Sequence, residues 1–192
     1  MRMLLLACIA TTLLAPAASS QATRTYTSPD GAYSFSLPGN FPVFTNPTRF
    51  EPNSYLAVCP QNAQVCVSYR KARLRKTNFN AAAFSVTVLS PGSSEETCNA
   101  SPQRNVPPQP DVRIGGVAFH HFTTGDAAMS HSLTSQIYRS FRGGRCYQLQ
   151  TSIMKTSFGV YPPGTKQEFT ATAERAVEKR LGNVVRSFRF QR

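Results

Sequence analysis

The sequence predicts an α+β domain: an antiparallel β-sheet covered on both faces, with helices against it, stapled by disulfides. Three observations carry this. Residues from Gly115 to Met154 read as three consecutive antiparallel strands with apolar side chains on both faces, a pattern of a sheet covered on two sides. Thr165 to Gly182 has the marks of one amphipathic helix. Four of the five cysteines lie beyond a leader for export, and an even number of thiols in an exported chain points to disulfides.

Residues 1–20 read as a secretory signal peptide, outside the fold. Arg2 supplies the positive head, Leu4 to Leu14 the apolar run, and Ala15 to Ser20 the small residues before cleavage, expected between Ala17 and Ala22. Leu5-Leu6-Ala7-Cys8 has the look of a lipobox, but too few residues precede Cys8 for a head and an apolar run. No later stretch reaches the roughly 18 apolar residues of a membrane helix. What remains, residues 21–192, is about the size of one domain. Losing Arg2 with the leader takes the net charge from +12 to +11.

Pro29-Asp30-Gly31 is a turn in which proline presets φ and glycine accepts the last position. After it Tyr33, Phe35 and Leu37 alternate with polar residues, a half-buried strand. Residues 40–52 hold three prolines and three phenylalanines and read as a loop on the sheet edge. Ser54–Cys59 and Val65–Tyr69 then read as a hairpin that sets Cys59 opposite Cys66. Four thiols allow three connectivities, and spacing favours Cys59–Cys66 with Cys98–Cys146. Chain-entropy arithmetic assigns about 2.5 kcal/mol to the short loop and about 4 kcal/mol to the long one.

Arg70, Lys71, Arg73, Arg75 and Lys76 place five positive charges in seven residues. Phe84, Val86 and Val88 alternate in a further strand, with a short helix at Ala81–Ala83 as the rival. Ser90 to Asp111 is a Pro-, Ser- and Asn-rich surface loop pinned by Cys98, with a sequon at Asn99-Ala100-Ser101. Within the central stretch, the Gly143-Gly144 hairpin puts Phe141 opposite Cys146, Ile137 opposite Gln150 and Tyr138 opposite Leu149. One face then holds Leu133, Ile137, Phe141, Cys146 and Met154, the other Tyr138, Tyr147, Leu149 and Ile153. Thr165 to Glu168 reads as a capping box, Phe169, Ala173, Ala176, Val177 and Leu181 as an apolar stripe, and Gly182 as the helix stop. Val184, Phe188 and Phe190 alternate into a last strand.

The turn Ser28-Pro29-Asp30-Gly31 leading into Tyr33-Ser34-Phe35-Ser36-Leu37-Pro38-Gly39 resembles the opening of PsbP-like domains. The capped helix followed by Val184-Val185-Arg186-Ser187-Phe188-Arg189-Phe190 resembles their ending. The resemblance implies an αβα sandwich, an antiparallel β-sheet flanked by helices. Four cysteines and a cysteine-anchored proline-rich loop depart from the family's pattern. Fold similarity implies no function by itself.

Three features bear on function. His120, His121 and His131 flank a turn expected at Thr123 to Ser130, with Asp126 at its tip, and two imidazoles with a carboxylate can hold zinc. Neighbouring His120 and His121 face opposite sides of a strand, so one at most can join, and the sequence asks for no metal or other cofactor. Nucleophilic catalysis lacks a G-x-S-x-G elbow, and with nine acidic residues paired carboxylates are scarce. The basic cluster, joined by Arg139, Arg142 and Arg145 if the two hairpins share an edge, suits polyanions; no aromatic-interleaved nucleic-acid signature accompanies it. The expectation is a secreted or periplasmic, non-enzymatic binding or accessory domain of the cell envelope, with an anionic component or a protein as partner. The alternative is a secreted metal-dependent enzyme using His120, His121 and His131.

Overall fold

The computed structural model describes residues 22–46, 56–69, 71–89, 92 and 94–191. The leader, the expected strand at Ser54–Tyr55 and Arg70 lie outside them. Ten strands and two α-helices follow in order: β1 (Thr23–Thr27), β2 (Tyr33–Pro38), β3 (Val43–Phe44), β4 (Val65–Ser68), β5 (Phe79–Val88), α1 (Glu95–Asn99), β6 (Gln109–Ile114), β7 (Val117–Ala128), β8 (His131–Arg142), β9 (Arg145–Thr156), α2 (Ala171–Ser187) and β10 (Arg189–Phe190). Seven strands form one antiparallel sheet in the order β3-β4-β5-β9-β8-β7-β6; β1, β2 and β10 form a second.

β7, β8 and β9 are twelve-residue strands joined by two-residue turns, and they carry the central sheet. Gly143 and Gly144 both take positive φ, as a type I′ hairpin requires, and the register they impose is the expected one: Phe141 opposite Cys146, Ile137 opposite Gln150, Tyr138 opposite Leu149. The small sheet and α2 cover one face. There Tyr33, Phe35 and Leu37 meet Val65, Phe84, Val86 and Leu149, and α2 adds Val177, Leu181, Val184 and Val185. Aromatic rings chain through this layer, with Phe35 edge-on to Phe84 and Tyr33 stacked on Phe188.

The opposite face departs from the flanked sandwich. No long helix lies there among the described residues; the domain is mostly antiparallel sheet, with one long helix on one side. The back is instead crossed by irregular chain. Leu56, Val58 and Cys59 pack on Cys66, Ala83 and Met154, and the five-residue α1 lies over β8 and β9. The two disulfides, Cys59–Cys66 and Cys98–Cys146, tie these covering segments to β4 and β9. β4 pairs with β3 and β5, so residues 56–59 reach Cys66 as irregular chain and not as a hairpin strand.

Ala81–Ala83 belongs to β5, so the strand reading holds there over the rival helix. Other expectations change. The helix starts five residues past the expected cap: Thr170 caps it, accepting from Ala173 N, while Thr165 bonds Pro162 O. Residues 167–169 are held extended by Thr77 and Asn78, whose carboxamide oxygen accepts from Phe169 N at 2.6 Å. At the other end Gly182 sits inside α2. Val184 and Val185 share the buried side of Val177 and Leu181, so continued burial outweighs the roughly 1 kcal/mol that glycine costs a helix. Only Arg189 and Phe190 remain as strand.

Candidate functional site

Strand geometry sends alternate residues to opposite faces, so the back of the sheet is read from β9 as Cys146, Gln148, Gln150, Ser152 and Met154. Three of those five are polar, and all five are buried. Their register partners extend the polar stripe: Ser85 and Thr87 on β5, Ser135 and Arg139 on β8. Burying a polar group without a partner costs about 1–3 kcal/mol, so such a stripe must be hydrogen-bonded or serve something else.

Most of it is bonded, in one directed chain. Arg139 Nε donates to Gln148 Oε1 at 2.9 Å, and Gln148 Nε2 donates to Gln150 Oε1 at 3.1 Å. Gln150 Nε2 then donates to the hydroxyls of Ser152 (2.9 Å) and Ser135 (3.3 Å), which bond each other at 2.8 Å. Arg139 Nη1 also donates to Ala100 O, on the segment held down by Cys98–Cys146. Ser85 Oγ and Thr87 Oγ1 are buried without a partner among the described residues.

Beside this network lies a cavity of about 240 Å³, lined by Thr124, Asp126, Ser135, Arg139, Gln148 and Gln150, with Leu133 and Ile137 as apolar wall and Pro102 and Gln103 at the rim. Thr124 is buried and its hydroxyl makes no hydrogen bond among the described residues. Burial disfavours the charged form of Arg139, and no carboxylate among the described residues pairs with it. Its fork carries five N–H donors, of which two are used. Asp126 pairs with Leu133 at the far end, six residues along β8 from Arg139, or roughly 20 Å. Its carboxylate accepts from Ala127 N. Among the described residues the lining holds one carboxylate and no histidine.

The histidines fall elsewhere and apart. Thr123–Ala128 is strand, and the turn is Met129-Ser130, so His131 pairs with Ala128 while His120 pairs with Arg139 far along the sheet. His120 Nδ1 lies 3.0 Å from Asp111 Oδ1, His121 stacks on Tyr138 and bonds Gln136, and His131 bonds Asn80 and Thr156. No group of three His, Cys, Asp or Glu suited to a metal occurs among the described residues. The basic cluster is also divided. Lys71–Leu74 forms a 3-10 turn, and Arg75 and Lys76 beside it are exposed. Arg142 and Arg145 lie at the other end of β8, eleven residues from His131 and roughly 35 Å away. Arg145 pairs with Asp30 at 3.3 Å, and Arg142 lies over the Phe190 ring. Among the described residues, Arg75 and Lys76 therefore lie at the opposite end of the sheet from Arg142 and Arg145. Sequence reasoning missed the cavity, although the alternation of Gln148, Gln150 and Ser152 between apolar residues was its signal.

No protein-family model and no curated protein sequence matches the chain. Solved structures do. The chain is similar to PsbP-like structures. Cyanobacterial PsbP (CyanoP) from Synechocystis sp. PCC 6803 aligns with a TM-score of 0.44 and 8% identity over 93% of this chain and 98% of its own. LpqN of Mycobacterium tuberculosis, described as involved in cell envelope biogenesis, aligns with a TM-score of 0.47 and 8% identity over 89% and 91%. A Bacteroides thetaiotaomicron structure aligns with a TM-score of 0.47 and 11% identity over 90% of this chain; the chain spans about half (50%) of its length. At such identities no ligand or activity passes from these proteins to this one. No helix among the described residues is long and apolar enough to cross a membrane.

Proposed function

We propose that this chain is an exported, non-enzymatic binding domain of the cell envelope, and that its cavity takes a small ligand bearing a carboxylate. One observation carries the reading: Arg139 sits half-buried in the cavity with donors to spare and no acid among the described residues to neutralise it. A planar guanidinium matches a carboxylate with two parallel hydrogen bonds, which a lysine cannot reproduce. Gln148 and Ala100 fix the fork, so little is lost in ordering it. The anionic end of the ligand belongs at Arg139, because Asp126 at the other end would repel it. The leader read in the sequence and the two disulfides support an oxidising compartment outside the cytoplasm.

Calorimetric titration of the intact domain with a panel of small mono- and dicarboxylates tests this. Hydrogen bonds to charged groups contribute about 1.5–3 kcal/mol, so Arg139→Gln should weaken a bound carboxylate by roughly 10- to 100-fold. Arg139→Lys should rescue little of it, and Arg142→Gln should leave binding intact. Equal affinity in Arg139→Gln and the unaltered protein, or no carboxylate bound at all, would overturn the assignment.

A further inference from the structure

Three large apolar side chains are exposed among the described residues: Met129 (74%), Val160 (52%) and Phe158 (44%). Scattered exposed apolar residues need no explanation, but these share one end of the sheet. Met129 is the first residue of the β7–β8 turn, and Ser130 O accepts from Ser157 N at 2.6 Å, which ties that turn to the 3-10 turn Phe158–Val160. Tyr161 follows, with Lys166 Nζ 5.9 Å above its ring. The same lysine donates to Arg75 O at 3.0 Å, and Gln167 N donates to Lys76 O. The apolar tips are thus bordered by Arg75, Lys76 and Lys166, none of them in an ion pair among the described residues. The acids closest in sequence are Glu168, two residues past Lys166, and the exposed Asp126, three residues before Met129, so the basic side chains outnumber them at this end; Lys155 there is already paired with Glu174 at 2.9 Å.

The turn itself adds a second observation. Met129 and Ser130 hold φ of 48° and 64°, the left-handed region that a two-residue hairpin turn demands and that Asn-Gly meets at least cost. Methionine is a poor choice there for the backbone, and its side chain is left 74% exposed. A strained, exposed, long apolar residue points to an external contact.

We infer that this end of the domain docks on an anionic lipid bilayer, with Met129, Phe158 and Val160 entering the headgroup–acyl boundary and Arg75, Lys76 and Lys166 meeting the phosphates. This surface is separate from the cavity and does not depend on it. A second copy is the poorer occupant, since a two-fold contact would set like charges against each other. A bilayer accepts projecting turns without a complementary shape, and apolar tips with a basic border supply the two signals that stable peripheral binding needs. Each basic residue near an anionic surface adds about fivefold in affinity, so the three together add on the order of 100-fold.

Co-sedimentation of the whole domain with phosphatidylcholine vesicles, with and without phosphatidylglycerol, at low and high salt tests the inference. Binding should require phosphatidylglycerol and fall as salt rises. Arg75→Gln/Lys76→Gln/Lys166→Gln should lower it on the order of 100-fold, and Met129→Ser/Phe158→Ser roughly tenfold or more. Arg175→Gln/Lys179→Gln/Arg180→Gln, which removes the same charge from exposed positions of α2, should lower it far less. The chain has no tryptophan, so Met129→Trp is a clean reporter whose emission should shift to the blue on the anionic vesicles. Equal losses in the two charge-neutralised variants, unchanged binding by Met129→Ser/Phe158→Ser, or unshifted emission would each overturn it.

Discussion

Replacing Met129-Ser130 by Asn-Gly should make this domain more stable while weakening its hold on membranes. Both residues occupy the left-handed region, at φ of 48° and 64°. For a residue with a Cβ this costs about 1–2 kcal/mol. Asparagine tolerates the region better, and glycine tolerates it freely, so the relief on the folded side is about 2 kcal/mol in sum. Glycine also gives the unfolded chain more freedom, which offsets about 0.5–1 kcal/mol of that. The net is about 1 kcal/mol, or a rise in Tm of roughly 2–4 °C for a domain of this size. Met129 is largely exposed, so little buried area is lost to confuse the reading. Differential scanning calorimetry gives the stability, and vesicle co-sedimentation the binding. A Tm that stays level or falls would refute the claim of strain. A Tm that rises with binding unaltered would confine Met129 to a structural role.

Gly115→Ala should cost more than about 2 kcal/mol by chemical denaturation, because φ is +60° and an added Cβ would lie 2.7 Å from Phe188 O. Cys98→Ala/Cys146→Ala should lower stability by about 4 kcal/mol on loop-entropy grounds, and free the segment whose Ala100 O holds Arg139, so carboxylate titration should weaken in parallel. Gln150→Leu removes the donor to Ser135 and Ser152; guanidinium denaturation should show a loss of about 1–3 kcal/mol. Burial, then its charged neighbours, pushes the Tyr33 phenol well above its ordinary range. The unfolded chain ionises first, so this contribution is whole below about pH 10 and is lost as pH rises beyond it. Tyr33→Phe should therefore lose less stability than the unaltered protein over that alkaline range, measured by thermal melts.

Local chemistry was the legible part of this sequence. The Gly143-Gly144 pair left one two-residue turn available, and from it the register of β8 on β9 followed for twelve residues. Cysteine spacing led to the two disulfides, although the hairpin expected to join Cys59 and Cys66 does not form. What resisted reading was set by contacts distant in sequence. The capping box at Thr165 was sound as a pattern, yet residues 167–169 are claimed by Thr77 and Asn78, some ninety positions away. The cavity was obscured differently. Leu133, Ile137, Phe141, Cys146 and Met154 were read as an apolar face, and the polar residues standing between them on that same face were passed over. A continuous apolar core would not tolerate Gln148, Gln150 and Arg139 there; a hydrogen-bonded network beside a cavity does. The histidines misled because the expected turn was placed several residues early, which brought together on paper rings that the long strands separate.

The small sheet has a consequence for how the chain comes to fold. β2 lies between β1 and β10, and Ser36 exchanges hydrogen bonds with Ser187, 151 positions later. Phe188, on the same C-terminal segment, stacks on Tyr33 in the core. The first apolar strand therefore cannot complete its layer until almost the whole polypeptide has emerged from the ribosome. Long-range pairing of this kind also folds slowly. This topology therefore keeps the chain open until its final strand has arrived.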